Sequence, residues 1–438
     1  MRVRQEKPEE RTGQTMEKND IRYQAYVSIL EEELKPAMGC TEPISIALAA
    51  ATAREALHEL PARIEIYVSN NIIKNVKSVV VPNTGGQKGI AAAVAIGTVA
   101  GEAQRMLEVI SNVTNQNIVE MQRFLRSADI EVHPAQDGDV FDIRVIAYNA
   151  AGGSAACRIQ GGHTNITEIS KDGKPLLKTA YVQALNSSAN RKLLTVEGIV
   201  DFAESCCLDD ISAPIERQIA YNSAISKEGL QKAYGANIGK LIWRDDSVRH
   251  RAIAFAAAGS DARMSGCNLP VIINSGSGNQ GITASLPVIE YAKELDVCHG
   301  DLLRALAMSN LLTVHLRYGI GTLSAYCGAV SAGCAAGAAI AWMRNRDLNA
   351  VAHTLVNSLA IVSGIICDGA KPSCAAKIAF AVEAGLFGAD MYDNGQQFYG
   401  GDGIVKKGVE NTIQNIYRLG KYGMRQTDNE IVDMMISS

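Results

Sequence analysis

Aromatic side chains are scarce in this 438-residue chain: 7 Phe, 14 Tyr and 2 Trp amount to 5% of it. Since 47% of the residues are nonetheless hydrophobic, the interior has to be filled mainly by Ala, Val, Ile and Leu, which favours closely packed helices. A basic footprint is also missing. The formal net charge is −4, and Lys and Arg are scattered instead of gathered on one face, which argues against nucleic acid as a partner. No charged segment leads into an apolar stretch at the start, and no uninterrupted apolar run reaches the roughly 18 residues of a membrane span. The most apolar segment, Gly328 to Trp342, is short and rich in Ala and Gly. The expectation is a soluble cytoplasmic protein with no membrane partner. Disulfides are not expected there, so the ten cysteines should be reduced thiols or ligands.

A chain of this length exceeds what one hydrophobic core usually serves, and two or three domains are expected. Residues 1–18 are polar and charged and read as a disordered lead-in, with Met16 an alternative start. Apolar positions at helical spacing from Ile21 to Lys35 predict a helix that delivers the chain to MGCTEP at residues 38–43. Ile44 to Leu60 predicts a second helix, ended by Pro61. Alternation at Ile64, Ile66 and Val68 predicts a strand, with Val76 to Val81 as its partner. The turn VPNTGGQKG (81–89) opens an Ala-rich helix through Ala100, and amides at such a start suit an anion. Further strands are expected at Ile130–His133, Phe141–Ala147, Ala155–Gln160 and Asn165–Ser170, followed by a turn at Asp172-Gly173. Residues 19–180 thus read as an α+β portion with a mostly antiparallel sheet. From Val196 the alternation fades, and residues 195–438 read as a predominantly α-helical C-terminal domain.

The cysteines are not spaced as in a zinc finger or a ferredoxin. Cys327-x6-Cys334 and Cys367-x6-Cys374 lie in the last third, and Cys40 stands alone near the start. Local context says more. Gly39-Cys40-Thr41, Tyr326-Cys327-Gly328 and Cys367-Asp368-Gly369 can present thiols from turns. A thiolate at a helix start has a lowered pKa, and soft thiolates select iron–sulfur clusters or zinc. Three ligands from distant loops would leave one iron open as a Lewis acid. Cys334, inside SAGCAAGAA, reads as core packing, as do Cys157, Cys206, Cys207, Cys267 and Cys298; Cys374 is ambiguous.

MGCTEP, NSGSGNQG, AYCGAVSAG and ICDGAKPSC, in this order, resemble the L-cysteine desulfidase branch of the iron–sulfur serine dehydratase alpha-chain superfamily, over roughly residues 20–430. The resemblance implies a 4Fe–4S cluster held by Cys40, Cys327 and Cys367. It also implies pyridoxal-independent β-elimination of a small amino acid: cysteine to pyruvate, ammonia and sulfide, or, in the serine branch, serine to pyruvate and ammonia. The serine enzymes carry a longer CDP…PC segment where this chain has CDGAKPSC, which favours cysteine.

Without pyridoxal no Schiff base delocalises the carbanion, so assistance must go to the leaving group, where an open iron can bind the β-sulfur or β-oxygen. Gly276, Gly278 and Gly281 formally match a dinucleotide fingerprint. That reading is set aside because Pro287 should interrupt the following helix, and no second strand ending in an acidic residue follows. A loop of Ser275, Gly276, Ser277, Gly278, Asn279 and Gln280 holding a substrate carboxylate is expected instead. Candidates for the base are Lys88, His163 and Lys371, each in a glycine-rich turn, and Glu42 is placed to brace the Cys40 loop, with interaction with the helix dipole as the alternative. The competing readings are a pyridoxal enzyme, for which no lysine and phosphate-loop context is found, an aconitase-type hydratase, and a cysteine-based metal or redox sensor. A homodimer is expected.

Overall fold

The structure is a computed structural model that describes residues 16–135, 140–179, 189–321 and 323–436. The lead-in read in the sequence lies outside the described residues up to position 15; Met16 is buried.

The first portion runs α1 (Ile21–Glu33), β1 (Pro36–Met38), α2 (Thr41–Leu57), β2 (Arg63–Val68), α3 (Asn70–Val76), α4 (Gly89–Ala100) and α5 (Asn115–Ser127). It continues with β3 (Asp129–Pro134), β4 (Asp142–Tyr148), β5 (Ser154–Gln160), β6 (Ile166–Lys171) and β7 (Lys174–Lys178). Strands β2 to β7 form one sheet in the order β3-β2-β4-β5-β6-β7. Only the β2–β3 pair is parallel, so the sheet is mostly antiparallel, as expected. The alternation read in β2 holds: Ile64, Ile66 and Val68 are fully buried, and helix α2 packs on β4 and β5, while Arg63, Glu65 and Tyr67 face the other way.

Two local expectations fail for identifiable reasons. Helix α2 starts at Thr41, three residues before Ile44, because Pro43 falls in the first turn, where no intrahelical N–H is required. Val76 to Val81 is not a partner strand. Ile72 and Val76, at i and i+4, are both buried and close the helix α3, and only Val80 makes a single bridge, to Lys88.

The second portion is helical: α6 (Val196–Ser205), α7 (Ser212–Gln231), α8 (Ile238–Ile242), α9 (Val248–Met264), a short β8 (Pro270–Ile272), α10 (Gly278–Glu294) and α11 (His299–Tyr318). There follow α12 (Gly328–Asn345), α13 (Leu348–Val362), α14 (Cys374–Asp393), α15 (Val409–Arg418) and α16 (Arg425–Ile436). The Ala/Gly-rich segment is a core helix: α12 is buried along nearly its whole length, and among the described residues no helix is long and apolar enough to cross a membrane. Pro287 lies inside α10 without ending it, so it does not exclude a dinucleotide site. The topology does: β8 is three residues long and pairs antiparallel with β1, not in a parallel βαβ unit. That β1–β8 pair also stitches the start of the chain to the helical portion.

Candidate active site

Four helices begin around one cavity. Cys40 is the N-cap of α2 and Cys327 that of α12. Gly278 opens α10 and Cys374 opens α14. The cavity, of about 100 Å³, is lined by Cys40, Cys327, Cys367 and Cys374 among other residues. Helix starts gathered around one cavity bring the positive ends of their dipoles to it, which makes it receptive to anions.

The thiol loops are pinned by backbone contacts. Cys367 N donates to Ala325 O at 2.6 Å and Cys327 N to Ile365 O at 3.2 Å, on either side of a bridge between Tyr326 and Ile366. Two segments 40 positions apart in sequence are thereby held side by side. Arg317 Nη1 donates to Tyr326 O at 3.0 Å and steadies the same turn. On the other wall, Glu42 braces the Cys40 loop: Cys40 Sγ donates to Oε2 at 2.9 Å, and Asn75 Nδ2 donates to Oε1 at 2.8 Å. Thr41 Oγ1 donates to Gly276 O at 2.9 Å, tying this loop to the NSGSGNQ loop.

The thiols are not activated in the way a helix start alone predicts. Burial pushes Cys40 well above the usual thiol range, the charge of Glu42 adding to it. Burial, then the neighbouring Cys367 and Cys374, push Cys327 up to about 12, and burial likewise raises Cys374. Desolvation of a thiolate outweighs the helix dipole here. Coordination by a soft metal replaces these protons and removes that penalty.

The cavity wall carries polar atoms that lack partners. His163 Nε2, Arg263 Nε, Asn75 Oδ1, Asn279 Oδ1 and Gln280 Oε1 are all buried without a hydrogen bond, and all five residues line the cavity. Such atoms are rare in folded proteins unless something binds them. Glycines make room for three of these side chains. A Cβ on Gly276 would lie 2.8 Å from His163 Cε1, one on Gly278 2.3 Å from Arg263 Nε, and one on Gly328 2.6 Å from Gln280 Cδ. Burial lowers the pKa of His163, against the opposing pull of Glu42, which favours the neutral ring. Burial opposes ionisation of Glu42, but His163, the Cys40 Sγ–H, its own backbone amide and Arg263 together bring its pKa below the usual range; it is a carboxylate.

Of the residues singled out in the sequence, Cys40, Cys327, Cys367, His163, Ser275, Gly276, Ser277, Asn279 and Gln280 line this one cavity, and Gly278 lies beneath Arg263. Lys88 and Lys371 do not line it. Lys88 is the N-cap of α4 with an exposed side chain, and Lys371 Nζ contacts Met435 Sδ at 4.0 Å. Arg263, Arg317 and Asn75 escape sequence reading. The one available signal for Arg263 is a charge set in AFAAAGSDARM, an otherwise apolar helix segment. Among the described residues no three His, Cys, Asp or Glu side chains gather as a single metal ion requires.

Residues 104–433 match the family described as serine dehydratase alpha chain. Full-length relatives include a UPF0597 protein of Desulfitobacterium hafniense, 53% identical over 96% of this chain and 99% of the relative. Another from Finegoldia magna is 46% identical over 94% and 99%, and one from Lachnoclostridium phytofermentans 45% identical over 95% and 100%. The family match begins downstream of Cys40, Glu42 and Asn75, but the relatives extend over almost the entire chain. This chain belongs to the serine dehydratase alpha-chain family.

Proposed function

We propose that the protein is a cytoplasmic, pyridoxal-independent lyase that converts L-cysteine and water to pyruvate, ammonia and hydrogen sulfide, and that Cys40, Cys327 and Cys367 hold a 4Fe–4S cluster. The observation that carries the reading is the meeting, in one cavity, of thiols from distant turns with a wall of unpartnered polar atoms. The donor set fits the group: ligands of a four-iron cluster each bind a different iron and stand apart around it. When bound, the cluster supplies a Lewis acid for the leaving β-substituent. The chain's own residues do the rest. Neutral His163, with its free Nε2, accepts the α-proton, and the loop from Ser275 to Gln280 orients the amino acid. Glu42 and Asn75 hold the Cys40 turn in place. Lys74, the lysine in the cavity wall, has its ammonium tied to Asp428 and offers no amine for a Schiff base.

L-Serine is the second reading, favoured by the description of the matched family. It differs only in the leaving atom, oxygen in place of sulfur. The deciding experiment is sulfide and pyruvate release from L-cysteine, with L-serine in parallel, by anaerobically purified, iron–sulfur-reconstituted protein without pyridoxal phosphate. Equal sulfide and pyruvate from cysteine are expected. Pyruvate from serine alone moves the enzyme to the dehydratase branch, and neither product from cluster-loaded protein sinks the lyase reading. In the same assay Cys327→Ala is expected to lose iron and activity while Cys206→Ala, remote from the cavity lining, keeps both; identical behaviour of the two variants overturns the ligand set.

A further inference from the structure

We infer that Arg263 is the anion receptor of the cavity and clamps the α-carboxylate of the substrate against the first turn of α10, an assignment that rests on the amino-acid lyase reading above. Arg263 is 3% exposed and lines the cavity. Among the described residues its side chain makes no hydrogen bond and no ion pair, and its Nε is buried without a partner. A guanidinium stays charged in any protein environment, and a buried charge is found paired or bound to a ligand of opposite sign.

The nearby anion, Glu42, is not that partner. Its Oε1 is taken by Asn75 and its Oε2 by Cys40 and Thr41, and it forms no ion pair with Arg263. Arg263 meanwhile lies across Gly278, whose absent Cβ would sit 2.3 Å from Nε and 2.9 Å from Cζ. Gly278 is the first residue of α10, and its N-cap, Ser277, makes no side-chain capping bond. Two positive groups, a guanidinium and an uncapped helix start, therefore lie side by side, and the Glu42 carboxylate, although its charge is felt by Arg263, is hydrogen-bonded to neither. A carboxylate satisfies both: the planar fork of Arg263 takes two oxygens, and the helix N–H groups take the remaining lone pairs. The adjacent side chains complete an amino-acid site. Asn279 Oδ1 and Gln280 Oε1, both buried and unpartnered, are acceptors for the α-ammonium. A bare metal cation would use neither the fork nor the amides.

The test uses reconstituted wild type, Arg263→Gln, Arg263→Lys and Gly278→Ala, the last displacing the guanidinium without removing its charge. Iron content, the KM for L-cysteine, and equilibrium binding of pyruvate and of cysteamine, which lacks the carboxylate, are measured on each. With iron content unchanged, Arg263→Gln is expected to weaken pyruvate binding and raise KM by about a hundred-fold, as for a truncated buried charge pair. Arg263→Lys should lie between it and wild type, Gly278→Ala should weaken pyruvate in the same sense, and cysteamine should bind all four alike. Unchanged pyruvate binding in iron-replete Arg263→Gln overturns the assignment. So does loss of iron with pyruvate affinity per iron preserved, which would make Arg263 a counter-charge for the cluster ligands. Should Arg263→Gln not fold, Gly278→Ala and Arg263→Lys decide alone, and unchanged pyruvate binding in both overturns it. If wild type binds pyruvate through Arg263 but turns over neither cysteine nor serine, the lyase reading fails and the carboxylate site stands.

Discussion

At the scale of single residues, the cavity is shaped as much by what is missing as by what is present. Gly276, Gly278 and Gly328 leave the space that His163, Arg263 and Gln280 fill, so one methyl group at any of them displaces a polar group of the site. These glycines are legible in the sequence as turn signals, but their purpose is not, because the side chains they admit come from other segments. Two residues before Arg263 stands Asp261, 1% exposed. Its Oδ2 accepts from Gly239 N at 2.9 Å, its Oδ1 has no partner, and burial pushes its pKa up to about 6 against amides of Gly239 and Ile238 that lower it. A folded-state pKa above the unfolded one means the stabilising contribution is complete below the unfolded pKa, near 4, and is lost as pH rises through about 6. Asp261→Asn should therefore flatten this part of the stability curve and gain about 2–3 kcal/mol over wild type at pH 7. Urea midpoints of both proteins from pH 4 to 7 check it; parallel curves would show that Asp261 is not the titrating group.

At the scale of elements, the scarcity of aromatics finds its use in the contact of α12 with α14. A Cβ on Gly337 would lie 2.4 Å from Gly385 C, and one on Gly385 2.2 Å from Gly333 O; the two helices touch backbone to backbone. The run that looks most like a membrane span is thus apolar because it is enclosed, and small because its neighbours are close. Gly337→Ala is expected to destabilise by about 1–3 kcal/mol through overpacking, in spite of the better helix propensity of Ala. A fall in the thermal midpoint without loss of helical circular dichroism is the expected reading, and an unchanged midpoint would contradict the close contact. Since Cys327 caps α12 and Cys374 opens α14, this contact also sets the spacing of two thiols. The periodicities that announce β2 and α1 are strong enough to read from the chain alone. The failure at Val76–Val81 is of another kind: Val76 is buried with Ile72 as the last residue of α3, and the valines after it leave regular structure, pairing only through the single bridge of Val80 to Lys88.

At the scale of the whole molecule, the chain returns on itself twice to close the site. Strand β1 pairs with β8 across more than half the sequence, and the last helix, α16, packs on α3, where Asp428 pairs with Lys74. Lys74 is 2% exposed, so Asp428→Ala leaves its ammonium buried and uncompensated. A loss of about 3–5 kcal/mol is expected, read as a lower denaturant midpoint; a loss under about 1 kcal/mol would mean that the pair behaves as a surface one. By itself the sequence determined the class of fold, an α+β portion ahead of a helical one, since that depends on local period. It also determined which cysteines stand in glycine-flanked turns, and so which thiols could be presented. The tertiary structure alone decided that those turns meet, that Lys88 and Lys371 stand outside, and that Arg263 is left unpaired beside the start of α10. A charge inside a helix carries no local mark of whether it has a partner; the answer lies in what long-range packing brings to it, or withholds.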